Sequence, residues 1–242
     1  IDRIELGADE FYDRMNNSED VPQTAAPSPG AFITAFEECF EQGAETVICI
    51  NMSGELSATI QAAETAAREL AGKDIHIFDS KSVTSGLGTM VLEAAKASQE
   101  NHSVDEILKL VDDLRSKTHV YAAIDTLENL KKGGRIGNAQ ALLGSMLSIK
   151  PLIDVISGIV EEAGRQRTRK KSLLWLRDKL AEFDGNIENL VVMHARAEDL
   201  DEFIKTLESS IDQTEMRISA LGPVVASHGG PGIIGISFTL KN

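Results

Sequence analysis

Helix-type and strand-type patterns take turns through the first half of the chain, and that alternation narrows the fold more than any other feature. "SPGAFITAFEECFEQG", residues 28–43, opens with Ser28 at an N-cap position and Pro29 at the first helical position. Phe32, Phe36 and Phe40 then recur at i, i+4 and i+8, and Gly43 closes the segment. "ETVICINMS" follows as a continuous apolar run of strand length. A helix from about Ser57 to Leu70 carries Ile60, Ala63, Ala67 and Leu70 on one stripe, and "IHIFDS", residues 75–80, reads as a second short strand. "LGTMVLEAAKASQE" and "SVDEILKLVDDLRSK" are two further amphipathic helices, the second entered at Ser103 with a capping-box Glu106. Strands separated by helices in this order require parallel crossovers, and so an α/β/α sandwich.

The second half reads differently. "THVYAAI", residues 118–124, alternates like a half-buried strand. "NLVVMHA" (189–195) and "EMRISAL" (215–221) flank a helix around 198–210, and "GPVVASH" and "GIIGISFTL" read as two more strands around a glycine-rich turn. The expected fold is therefore α/β with two domains: a parallel α/β/α sandwich over 1–117, then an α/β domain with a mixed sheet over 118–242. The stretch 16–30 holds three of the six prolines and is expected to be an extended loop.

A chain of 242 residues with 42% hydrophobic content can bury a substantial core. Its net charge of −14 opposes non-specific binding to nucleic acid and adsorption to anionic lipid, although "RQRTRKK", residues 165–171, is a local basic run. Cys39 and Cys49 form no CxxC pair and join no metal-spaced cluster. They read as small buried hydrophobes in a reducing compartment. No run approaches the ~20 apolar residues that span a bilayer, and nothing at the start has the form of a signal peptide, so a cytoplasmic location is expected. The first residue is Ile1 rather than Met, as expected of a fragment.

Ligands in α/β sheets sit beyond the carboxyl ends of the strands. Two loops leave strand ends in the first half, "NMSGELSAT" and "DSKSVTSGLG", both rich in hydroxyls. Thr24 in "PQTAAPSPG", Ser53, Ser57 and Thr59 in "MSGELSAT", Arg135 in "KKGGRIG" and His228 in "SHGGPGIIG" are the candidate polar groups. Two hydroxyls, helix N-terminal N–H groups, a guanidinium and an imidazole would together suit a carboxylate. Each also has a plain alternative. Ser57 can be only an N-cap, Thr24 ordinary turn polarity, Arg135 a surface arginine, and His228 an exposed residue on a wide turn. Asp79 could pair with His228. "GGRIG" is not a nucleotide-phosphate fingerprint and "MSGELS" lacks the GxSxG of a nucleophile elbow. The residues thus indicate an anion site without naming a reaction.

"PQTAAPSPGAF", "MSGELSATIQAA", "FDSKSVTSGLG", "TLENLKKGGRI", "LGSMLSIKPLI" and "HGGPGIIG" occur in this order from about residue 11 onward. That ensemble resembles the DegV family of bacterial fatty-acid-binding proteins. The resemblance implies one long-chain fatty acid as ligand, buried between two domains, with no cofactor and no metal. It implies a carboxylate held by Thr24, Ser57 and His228, with Ser53, Arg135, Gly229 and Gly230 in support. It further implies no catalysis by the chain alone. An ATP-binding fatty acid kinase subunit would phosphorylate the carboxylate, with Arg167 in "RQRT" serving its docking. A stand-alone small-molecule enzyme using Ser57 and His228, or a lipid-sensing module without a kinase, are the alternatives. A self-contained kinase would need a nucleotide loop and metal carboxylates, and the sequence shows neither.

Three departures from the family pattern stand in the sequence. The T-S-x-P loop is Thr24-Ala25-Ala26-Pro27, and the LSGT stretch is Leu56-Ser57-Ala58-Thr59. The family's N-terminal strand and its Asp-Ser loop would precede Ile1. The helical segments 60–67 and 138–149 are expected either to line the acyl tunnel or to fill core.

Overall fold

The computed structural model describes residues 6–18, 22–142, 149–155, 157–183, 185–208 and 216–241. The chain forms two compact units, one of residues 25–116 and one that combines 1–24 with 117–242.

In the 25–116 unit, α2 (Pro29–Glu41), β1 (Thr46–Asn51), α3 (Thr59–Glu69), β2 (Asp74–Asp79), α4 (Thr84–Gln99) and α5 (Val104–Lys117) follow in sequence. Strands β1 and β2 pair in parallel, Thr46 opposite Asp74 and Asn51 opposite Asp79. Period-two side chains divide the strand between two layers. Val47 and Cys49 face Phe36, Ala63 and Ala66 of α2 and α3. Ile48 and Ile50 face Ala94, Ala97, Ile107 and Val111 of α4 and α5. The sandwich expected from the alternation is present. Ser28 caps α2, its hydroxyl accepting from the Ala31 N–H at 3.3 Å. The capping box also forms: the Ser103 N–H donates to Glu106 Oε2 at 2.7 Å and the Glu106 N–H to Ser103 Oγ at 3.4 Å.

The other unit contains α1 (Ala8–Asn16), β3 (Thr118–Ala123), α6 (Glu128–Lys132), a 3-10 helix (Gly137–Leu142), β4 (Lys150–Asp154), β5 (Glu161–Gln166), α7 (Arg169–Ala181), β6 (Ile187–His194), α8 (Leu200–Glu208), β7 (Arg217–Ala220), α9 (Pro223–Gly229) and β8 (Ile234–Leu240). Its six-stranded sheet runs β5-β4-β3-β8-β6-β7. The β6–β7 pair is parallel and the other pairs are antiparallel, so the sheet is mixed, as expected. Leu173, Leu176 and Leu180 of α7 and Phe203 and Leu207 of α8 pack on Val192, Ile234, Ile236 and Phe238. Helix α1 joins this unit through the buried Tyr12 hydroxyl, which donates to the Leu221 carbonyl at 2.9 Å.

Several local expectations are corrected. "GPVVASH" is helix α9, not a strand. Pro223 lacks the N–H a sheet ladder needs, but sits at the first turn of a helix without loss. Strand β3 is almost wholly buried rather than half-buried, because it lies inside the sheet between β4 and β8. Helix α3 starts at Thr59, leaving Ser57 just ahead of it. Against the expectation of burial, Cys39 is exposed and Cys49 is half-buried; partial burial pushes the Cys49 thiol up, away from nucleophilic use. Of the stretch 138–149, residues 138–142 lie in the 3-10 helix and 143–148 fall outside the described residues.

Candidate functional site

In the mixed-sheet unit, Pro223 starts α9 and Gly230 ends it with φ 89°, a left-handed value that suits glycine. His228 therefore lies in the last helical turn, not on an open loop, and is half-buried. Its Nε2 stands 2.8 Å from the Thr24 hydroxyl. Its Nδ1 is buried with no hydrogen-bond partner among the described residues. Burial, with Arg135 as a second cause, holds the imidazole below its usual range, so it is neutral near pH 7. A buried orphan N–H costs more than a buried orphan lone pair. The proton is accordingly assigned to Nε2, which donates to Thr24 Oγ1. The Thr24 O–H is then left to donate elsewhere, so the pair can serve an acceptor such as a carboxylate oxygen.

Glycines make this arrangement possible. A Cβ built on Gly133 would collide with His228 Nδ1, and one on Gly229 with the Ile233 side chain. The Gly133 carbonyl accepts from Arg135 Nη1 at 2.8 Å, so the "GGRI" stretch packs against the imidazole and holds the guanidinium by the same residue. Thr24, Arg135, His228, Gly229 and Gly230 are brought together in one unit.

Ser53 and Ser57 belong to the 25–116 unit. Ser57 Oγ lies 2.8 Å from Thr59 Oγ1 and accepts from the Thr59 N–H at 3.3 Å. Ala58, which replaces the family glycine, has φ −72°, a value open to any residue. Ser53 is fully buried; its N–H donates to the Ser82 carbonyl at 2.8 Å and its hydroxyl accepts from the Glu55 N–H at 3.2 Å. Asp79, raised as a partner for His228, accepts from the Lys81 N–H at 2.9 Å and pairs with the Lys81 ammonium at 3.1 Å. Sequence reasoning did not single out Ser82, whose buried hydroxyl has no partner among the described residues. The backbone around it is strained: Lys81 and the β-branched Thr84 have φ of 49° and 55°.

The basic run is divided by the fold. Arg165, Arg167, Lys170 and Lys171 are exposed, whereas Arg169 is turned inward with 22% of its side chain accessible. Among the described residues there is no cluster of His, Cys, Asp and Glu able to hold a metal, and no helix long and apolar enough to cross a membrane.

A sequence model described as "Uncharacterised protein, DegV family" matches residues 1–241. The chain belongs to the DegV family. A DegV domain-containing protein of Listeria innocua is 33% identical over 240 residues, covering 98% of this chain and 85% of the relative. A Staphylococcus aureus DegV domain-containing protein is 32% identical over 239 residues, again covering 98% and 85%. Among solved DegV structures, that of a Thermus thermophilus protein described by its fatty acid binding superposes with a TM-score of 0.90 at 34% identity, covering 99% of this chain and 86% of that one. The Bacillus subtilis DegV, described as a fatty acid binding protein, gives 0.88 at 28% identity, with 99% and 86% covered. The DegV fold is thus shared over nearly the whole chain.

Proposed function

We propose that this DegV-family protein binds one long-chain fatty acid and presents its carboxylate to a partner kinase, which forms the acyl-phosphate. The observation that carries the reading is the 2.8 Å bond between Thr24 Oγ1 and a neutral His228. A donor pair of that kind, with the Arg135 guanidinium beside it, suits a carboxylate that must leave water. Fatty acid binding by the Thermus thermophilus and Bacillus subtilis relatives supports the choice of ligand. Ser57 supplies a second hydroxyl to the same carboxylate. Ser53 shapes the turn that carries Ser57. Gly229 and Gly230 support the His228 turn. Arg167, exposed between β5 and α7, serves docking of an ATP-binding kinase subunit. The chain itself is a cytoplasmic carrier, and its ligand, not a cofactor or metal, completes the site.

Affinity on this reading comes from the tail. Each methylene removed from water contributes roughly 0.8 kcal/mol, while the polar pair fixes orientation. The test is native mass spectrometry of the purified protein, followed by denaturing release of any bound acid and titration with oleate and palmitate. A single fatty acid per chain, with binding weakened in Thr24→Val, is the expected result. No co-purified acid and no uptake of either probe would overturn the proposal.

A further inference from the structure

Arg169 opens helix α7 at its first position, where a cation opposes the helix dipole. Thr168 already caps that helix, its hydroxyl accepting from the Lys171 N–H at 3.3 Å, so the arginine is not needed there for capping. Its guanidinium turns instead onto three other segments of the same unit. Nε and Nη2 donate to the two carboxylate oxygens of Asp199 at 2.8 and 2.9 Å, a bidentate fork. Nη2 also donates to the Gly232 carbonyl at 2.6 Å, and Nη1 reaches the Ala123 carbonyl at 3.5 Å. Asp125, which pairs with Lys150 at 2.8 Å, stands 3.9 Å from Nη1. The Arg169 bonds hold the Asp199 carboxyl below its usual range.

The Gly232 carbonyl belongs to the turn that follows His228. That turn is Gly229-Gly230-Pro231-Gly232, with Gly230 and Gly232 at φ 89° and 76°. Glycines give such a turn wide conformational freedom, and freedom must be removed from outside if the imidazole is to keep one position. On the donor side the turn is held by the Gly232 N–H, which donates to the Ala195 carbonyl at 2.8 Å. On the acceptor side it is held by Arg169.

We propose that Arg169 is a positioning residue for the carboxylate site: by anchoring the Gly232 carbonyl to Asp199, it fixes the turn that sets His228 against Thr24. The proposal deepens the fatty acid reading above and rests on it for the binding measurement, but not for the tautomer measurement. Arginine alone supplies the fork and the carbonyl contact together; lysine keeps the charge and can make one contact.

The experiment uses the full chain as wild type, Arg169→Lys, Arg169→Gln and Lys170→Ala, the last an exposed neighbour on the same helix. Imidazole nitrogen NMR of the lipid-free protein reads the His228 tautomer and titration, assigned by loss of signal in His228→Gln. Titration with oleate reads binding. In Arg169→Lys the fold is retained, the single Nε2-protonated tautomer gives way to a mixture, and oleate binding weakens roughly tenfold or more. Lys170→Ala matches the wild type. Arg169→Gln gives the same change if it folds; if it does not, Arg169→Lys decides. A wild-type His228 signal with unchanged oleate affinity in a folded Arg169→Lys variant would sink the proposal. Failure of the wild type itself to bind oleate would sink the fatty acid reading, and the His228 signal would still decide the role of Arg169.

Discussion

Gly133 and His228 share a space that admits only one side chain: the glycine's missing methyl is where the imidazole Nδ1 packs. Two stretches that look unrelated in sequence, "KKGGRI" and "SHGGPG", are therefore one steric unit. Gly133→Ala is expected to push the imidazole away from Thr24. Oleate titration checks this, with binding weakened roughly tenfold or more while a cooperative thermal transition remains. Unchanged affinity in a folded Gly133→Ala variant would show that the packing is incidental.

Thr24 and Ser57 offer hydroxyls from different units and are expected to fail separately. If each hydroxyl binds the carboxylate as proposed above, Thr24→Val and Ser57→Ala should each weaken oleate binding by about 1.5–3 kcal/mol. Isothermal titration distinguishes the two. If Ser57→Ala binds like the wild type, Ser57 serves only the turn before α3, where its hydroxyl already accepts from the Thr59 N–H.

Arg167 is exposed and separate from the lipid site on the reading proposed here. Arg167→Ala should keep wild-type oleate affinity but slow acyl-phosphate formation by a fatty acid kinase subunit, measured with ATP and preloaded protein. A fall in oleate affinity instead would place Arg167 at the ligand.

Burial depresses His119, His194 and His228 alike, with Lys179 adding to it for His119 and Arg135 for His228. A folded-state value below the unfolded one means the unfolded chain takes up protons first. Stability from these groups is present above about pH 6.5 and is lost as pH falls through the folded values. The lipid-free Tm should drop between about pH 7 and pH 5. His119→Phe, which keeps the stacking on Phe238 and the tilted contact with Phe183, should remove part of that slope. An equal slope in wild type and variant would assign it to other groups.

Phe203 is fully buried between α8 and the mixed sheet. Phe203→Ala should cost about 3–5 kcal/mol in urea unfolding, with the midpoint shifted at similar slope.

The sequence was most informative where local rules act alone. Ser28 and Ser103 marked their helices because an N-cap needs only its own next three residues. The strand patterns of Val47–Ile50 were legible because two helical layers demand two apolar faces. "GPVVASH" misled because apolar content outweighed Pro223, whose missing N–H was the better signal. Thr24, Arg135 and His228, which the structure brings together in one unit, stood out in the sequence as residue types. The part played by Gly133 did not, since it depends on a packing partner 95 positions away, 228 minus 133. Arg169 was concealed by its neighbours: within "RQRTRKK" nothing distinguishes the one side chain that turns inward to meet Asp199.

The mixed-sheet unit is made of two separated pieces of chain, 1–24 and 117–242, and its strand β8 lies between β3 and β6. A ribosome delivers Thr24 early and His228 late. The 25–116 unit has all its parts once residue 116 is out, whereas the sheet that carries His228 stays open down its middle until residue 240 follows. A product stalled before β8 would thus possess one complete unit beside a second whose sheet is still split between β3 and β6.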